Sequence, residues 1–154
     1  YGGHEMAAGL KVKEGRLPEL RERFQAHARA TIGAEMLTPE LKLECETGLG
    51  MMTAQLVNEL GRLGPFGHGN RKPLLACRAV EVAATPRRVG KTGDHLQISL
   101  RQGGKVIKGI AFNRGDLADV LREGQRIDVA VEPSFNEWNG RVSVEVQIRD
   151  VRVG

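Results

Sequence analysis

The stretch His95-Leu96-Gln97-Ile98-Ser99-Leu100-Arg101, followed by Gln102-Gly103-Gly104 and a return through Lys105 to Phe112, decides the fold. Leu96, Ile98 and Leu100 alternate with polar residues, the period-two pattern of a half-buried strand. Adjacent glycines supply a tight turn, so the two runs read as a hairpin. Downstream, Ile127, Val129 and Val131 alternate with Asp128, Ala130 and Glu132. Val142, Val144, Val146 and Ile148 alternate with Ser143, Glu145, Gln147 and Arg149, and Asn139-Gly140 between the two runs is a strong hairpin signal. Asp116 to Arg122 reads as a short helix, capped near Asn113 or Asp116 and stopped by Gly124. Upstream, a long strand runs from about Leu74 to Val89. Three strands, a helix and two strands is the order of an OB-fold, although a different small barrel or an open sheet shares the alternation.

Before the barrel the pattern changes. Pro18 to Ile32 reads as a helix, with Pro18 in the first turn, Leu20, Phe24, Ala28 and Ile32 on one face, and Gly33 as the stop. Leu41, Leu43 and Cys45 alternate over a short strand, and 47–50 is a loop. Met51 to Leu63 reads as a second helix with Leu56, Leu60 and Leu63 on one stripe, and Met51 and Met52 as core filler. Residues 64–73 are rich in glycine and proline and read as a linker. The expected organisation is α+β: 1–63, linker 64–73, and a barrel over 74–154.

Composition narrows the function. The chain has 154 residues and a hydrophobic fraction of 40%, enough for a buried core. No run approaches the roughly 18 apolar residues of a membrane span, no signal peptide is visible, and a cytoplasmic location is expected. The start at Tyr1 points to a C-terminal piece of something longer. Cys45 and Cys77 are expected as buried free thiols, and no ligand spacing for zinc surrounds them. Net charge is +4, but Arg71, Lys72, Arg78, Arg87, Arg88, Lys91, Arg101, Lys105, Lys108 and Arg114 stand against only Glu81 and Asp94 in their stretch. Such a stripe is the footprint of a polyanion binder.

An OB-fold grips oligonucleotides on its second and third strands and on its first-to-second and fourth-to-fifth loops. Here those loops read as Arg87 to Gly93, with three cations and two glycines, and Asn136 to Gly140, with the single Trp138. An exposed Trp138 would stack on a base; the other reading folds it back over the barrel end. His95, Gln97, Ser99 and Arg101 would line a wet groove. Aromatic residues make up only 4%, so binding would run through phosphates and depend on salt. Arg87, Arg88, Lys91, Arg101, Lys105, Lys108 and Trp138 are the candidate DNA contacts. His27 and His68 are expected on surfaces.

One further motif stands at the start: Gly2-Gly3-His4-Glu5-Met6-Ala7-Ala8-Gly9. Two glycines, a histidine donor and small residues behind suit a loop that cradles a phosphate; a flexible terminus is the other reading. The motif resembles the signature of DHHA1 domains in the DHH phosphoesterase superfamily. Leu63-Gly64-Pro65-Phe66-Gly67-His68-Gly69-Asn70 resembles the Pro-Phe-Gly-x-Gly-Asn element of RecJ-type exonucleases, which degrade single-stranded DNA from its 5′ end. The resemblance covers essentially the whole chain and departs at Gly64, where an acid is usual, and at Arg71-Lys72, where Pro-Glu is usual.

The resemblance implies the C-terminal part of a DHHA1-type α/β domain followed by a five-stranded OB-fold barrel. It also implies a parent exonuclease of DNA repair and recombination with a Mn²⁺ or Mg²⁺ centre in a catalytic domain outside this chain. Gly2, Gly3 and His4 would hold substrate phosphate beside that centre. Ala7, Ala8 and Gly9 would pack behind them, and Phe66, Gly67, Gly69 and Asn70 would shape the junction. This chain itself carries no Asp-His-His triplet and no expected metal site or catalytic residue. Expected partners are single-stranded DNA, the parent's own catalytic domain, and replication or repair proteins. Two alternatives stand beside this reading: a protein-docking module of a repair factor, and a phosphodiesterase of small nucleotides.

Overall fold

A computed structural model of the chain describes residues 2–4 and 6–154. Tyr1 and Glu5, the latter part of the Gly-Gly-His motif, lie outside the described residues. The chain divides into two compact units, 1–41 and 42–154. The division falls before the 64–73 segment, which lies inside the second unit.

The first unit holds an antiparallel hairpin, β1 (Gly2–His4) with β2 (Ala7–Gly9), and helix α1 (Leu17–Thr31). Pro18 sits in the first turn of α1 as expected, and the helix runs one residue offset from the 18–32 expectation. Arg16 and Arg23 both pair with Glu19 along its surface. No residue of α1 is buried, and Phe24 is 71% exposed.

The second unit is a closed barrel of β4 (Leu75–Val89), β5 (His95–Gln102), β6 (Lys105–Ala111), β7 (Arg126–Trp138) and β8 (Arg141–Val153), numbered after a short β3 (Cys45–Glu46). Neighbouring strands run β4-β5-β6-β8-β7, and β7 returns to β4. All these pairings are antiparallel except β6 with β8, which is parallel and closes the ring. Closure leaves no free edge on the barrel proper. Both hairpin turns are as expected: Gly103-Gly104 and Asn139-Gly140 have positive φ at both positions, the pattern of a type I′ turn.

The inward residues follow the alternation. Val80 and Val82, Leu96, Ile98 and Leu100, Ile107, Ile127, Val129 and Val131, and Val146 and Ile148 form one buried cluster. Gly109 faces the same interior where β6 meets β8. A Cβ there would lie 2.9 Å from Ile148 Cδ1 and 3.2 Å from Val146 Cγ2, so glycine is what lets the two strands approach.

Several local expectations are corrected. Of the run Leu41 to Cys45, only Cys45 joins a strand, the pair Cys45–Glu46; it lies parallel to Leu75 and Ala76, while Leu41 and Leu43 stay exposed. The helix expected from Met51 begins later, as α2 (Ala54–Gly61), because Thr53 caps it by accepting a bond from Leu56 N. Before it, a 3-10 turn at Leu49–Met51 drops Leu49 and Met52 fully into the barrel core. Met51 instead is 59% exposed, so only one of the two methionines fills core. Gln102 ties this segment down, accepting from Leu49 N at 2.8 Å and donating to Arg78 O at 2.7 Å.

The helix expected over Asp116 to Arg122 is a 3-10 turn, Gly115–Asp119, whose N-cap is Arg114 without a side-chain capping bond. Leu117 of this turn and Leu121 just after it reach the core. Cys77 is buried, and burial pushes its thiol up to about 11; Cys45 is exposed, against expectation, because its two-residue strand lies outside the barrel. His27 and His68 are exposed.

Candidate functional site

The outer face of β5 and β6 is built by strand pairing. Ser99 lies opposite Lys108, Gln97 opposite Ile110, and Arg101 opposite Val106. Opposed residues in an antiparallel pair point to the same side. On the other flank, Arg87 of β4 lies opposite Gln97, and Ala84 opposite Ser99. A cleft of about 400 Å³ runs over this patch, lined by Thr85, Arg87, Gln97, Ser99, Lys108 and Glu123 among others. Two cations, three neutral hydrogen-bonding side chains and one carboxylate thus share one open groove.

The loop between β4 and β5 is shorter than expected. Arg87 and Arg88 belong to β4, paired with Gln97 and Leu96, so only 90–94 is loop. The twist of a long strand carries both arginines, and Gly90 and Gly93 take positive φ to make the bend. Gly115 N donates to Asp94 O at 2.8 Å, fastening the loop to the segment after β6. His95 supports it from the strand: its Nδ1 accepts from Asn113 N at 3.1 Å, and its ring meets Phe112 edge-on at 5.2 Å. Likewise Asn136, Glu137 and Trp138 belong to β7, leaving only Asn139-Gly140 as the turn. Trp138 is 74% exposed, so it does not fold back over the barrel.

The candidate cations fall into two groups. Arg101 is held by Glu81 at 2.9 Å, and Arg88 by Asp119. Arg78 pairs with Glu46 and Asp128, and Arg114 with Asp150 at 3.4 Å. Among the described residues, Arg87, Lys91, Lys105 and Lys108 form no ion pair. A guanidinium already bound to a carboxylate must exchange partners before it takes a phosphate, whereas an unpaired cation offers its full charge. The structure brings Arg87 and Lys108 together across one cleft. Lys105 sits at the β5–β6 turn, Lys91 in the β4–β5 loop, and Trp138 at the β7–β8 turn.

Sequence reasoning missed Glu123. Its Oε2 accepts from both Thr85 N and Thr85 Oγ1, each at 3.2 Å. A separation of 38 residues left no local signal for that contact. It also missed Asp128, which accepts from Ala79 N at 2.9 Å and from Arg152 Nε at 3.1 Å. The Ala79 amide, then the Arg152 guanidinium, hold the Asp128 carboxyl below its ordinary 3.8. Ala79 has φ 51°, where β4 shifts register between Cys77 and Val80, so Asp128 pins a bulge.

In the first unit, Gly2, Gly3 and His4 form extended strand rather than the expected loop. Gly3 is needed for close approach: a Cβ there would lie 2.7 Å from Ala8 Cα. His4 Nδ1 accepts from Met6 N at 3.2 Å, which leaves Nε2 to donate. In the second unit, Asn70 closes the 63–70 loop, donating to Leu63 O at 3.0 Å and Pro65 O at 2.8 Å. Among the described residues, no three His, Cys, Asp or Glu side chains are grouped to hold a metal ion, and no helix is long and apolar enough to cross a membrane.

The chain is 35% identical over 152 residues to the single-stranded-DNA-specific exonuclease RecJ of Thermus thermophilus, and 31% identical over 153 residues to that of Bacillus subtilis. Each match covers 99% of this chain but only 21% and 19% of the relative, so the chain spans about a fifth of their length. A crystal structure of the Thermus thermophilus RecJ in complex with Mn²⁺ superposes over 99% of this chain and 22% of that one, with a TM-score of 0.74 and 32% identity. The family model described as the RecJ OB domain matches residues 43–150, which reach from just before β3 to the end of the β8 core, and the chain therefore belongs to the RecJ OB domain family.

Proposed function

We propose that the barrel holds single-stranded DNA across β5 and β6 as part of a RecJ-type exonuclease. The observation that carries this reading is the cleft itself. Arg87 and Lys108 flank it without ion-pair partners among the described residues, and Gln97 and Ser99 lie between them. Phosphates would lie against the two cations, and further phosphates against Lys91 in the β4–β5 loop and Lys105 at the β5–β6 turn. Gln97 and Ser99 would contact sugars and base edges. Trp138, exposed at a hairpin tip, offers a face on which one base can stack. The relatives, named as single-stranded-DNA-specific exonucleases, support the same substrate.

The rest of the parent activity belongs to this proposal. It comprises 5′-to-3′ hydrolysis of the strand by a DHH-type domain that uses Mn²⁺ or Mg²⁺, with the 2–9 hairpin inside the C-terminal part of a DHHA1-type domain. In it, His4 Nε2 and the backbone beside Gly2 and Gly3 would meet a substrate phosphate. Residues 1–63 would then be the DHHA1-like part and 64–73 its junction to the barrel. The chemistry of the metal, activation of water and stabilisation of phosphoryl charge, lies with the parent.

The test is fluorescence anisotropy of a labelled single strand and the same strand in duplex, titrated with the 154-residue chain at low salt. Binding to the single strand, much weaker binding to the duplex, and no cleavage of either are expected. Equal affinity for the two forms, or no binding, would refute the proposal.

A further inference from the structure

We infer that Glu123 reads the bases of the bound strand and favours those that present an amino group. The inference rests on the DNA-holding reading above and adds a base preference to it. Glu123 lines the cleft that Arg87 and Lys108 flank. Its Oε2 is engaged twice by Thr85, which anchors that oxygen and leaves Oε1 as the open one. Its Oε1 has no hydrogen-bond partner among the described residues, and the side chain forms no ion pair among them.

A carboxylate in a nucleic-acid groove has one useful orientation toward a strand. It repels phosphate, so the backbone settles against Arg87 and Lys108 and a base that lies beside Glu123 turns its edge toward the carboxylate. The free Oε1 is an acceptor only, and a base must bring it an N–H. Cytosine presents its N4 amino group, and carboxylates accept from that group in direct readout. Thymine presents carbonyl oxygens on both sides of a single imide N–H, and those oxygens meet the carboxylate unfavourably. Unstacked bases in single strands expose these edges.

The competing role is structural. Glu123 pins Thr85 where β4 shifts register between Ala84 and Arg87. Glu123→Gln separates the two roles. The glutamine oxygen keeps accepting from Thr85, while its amide nitrogen replaces the free acceptor with a donor. Anisotropy titrations would use labelled oligo-dC and oligo-dT of about 15 nucleotides, within the span of one OB-fold. The wild-type chain is expected to bind oligo-dC about tenfold more tightly than oligo-dT. In Glu123→Gln that ratio is expected to fall to one or below, with thermal stability unchanged.

A wild-type chain that binds both oligomers equally overturns the inference, whatever the variant does. So does a ratio that survives in Glu123→Gln, which leaves Glu123 a structural role only. A variant that binds both oligomers more tightly by the same factor also overturns it, because the carboxylate then faces phosphates. If the wild-type chain binds neither oligomer, the DNA-holding reading itself fails and the inference with it.

Discussion

Gly109→Ala should destabilise the barrel although it adds only one methyl group. The added Cβ would sit 2.9 Å from Ile148 Cδ1 and 3.2 Å from Val146 Cγ2, both on fully or almost fully buried side chains. Neither neighbour has solvent to move into, and β6 joins β8 only through Gly109↔Val146 and Ile110↔Gln147. Overpacking of this kind costs about 1–3 kcal/mol. The stiffer unfolded chain returns about 0.4–1 kcal/mol. A net loss of about 1–2 kcal/mol is expected, which in urea melts with a slope near 2 kcal/mol/M moves the midpoint down by about 0.5–1 M. Gly50→Ala is the control, since a Cβ there meets nothing within 4 Å and its φ is not left-handed; it should lose no stability. Ile148→Val removes the nearest atom, so the double variant should lose less than the two single losses combined. If Gly109→Ala melts with the wild type, strand closure does not depend on that close approach and the reasoning is wrong.

Other consequences follow from the bulge and the thiols. Ala79→Gly should raise the melting temperature, because Ala79 sits at φ 51°, where a side chain costs about 1–2 kcal/mol and glycine does not. No rise would mean the bulge is not strained. Asp128 has its pKa held down in the folded state, so its contribution to stability is present above the ordinary carboxylate range and is lost as pH falls through the folded value. Asp128→Asn should therefore be less stable than wild type near pH 7, and the gap should narrow as pH drops below about 4. A gap independent of pH would contradict that linkage. A thiol reagent should label Cys45 alone in the native chain and both cysteines in denaturant, since Cys77 is buried and its thiol is pushed up to about 11. Native labelling of both would contradict the packing.

The five barrel strands were legible because each buries one face, and alternation of residues such as Leu96 and Ile98 records that directly. The turns were legible because Gly103-Gly104 and Asn139-Gly140 have few other uses. The short elements were not. Leu41 and Leu43 alternate like a strand yet find no partner, and only tertiary pairing at Cys45 and Glu46 makes two residues extended. Leu49 and Met52 carried no periodic signal, because a single 3-10 turn placed them in the core. Loop boundaries failed where strands ran on: Arg87 and Arg88 look like loop cations but sit in a ladder. The division of cations into paired and unpaired was illegible. Arg101 finds Glu81 at 20 residues and Arg88 finds Asp119 at 31, distances over which local pattern says nothing.

That division yields the most direct test of the central claim, the salt dependence of single-strand binding in paired and unpaired variants. Four unpaired cations acting on phosphates give a log–log salt slope of about −3 for a single strand. Arg87→Gln with Lys108→Gln should reduce it to about −1.4. Arg88→Gln with Arg101→Gln, which removes only cations already held by carboxylates, should leave the wild-type slope in place. A wild-type slope near zero, or equal loss of slope in both double variants, would contradict a strand gripped between Arg87 and Lys108.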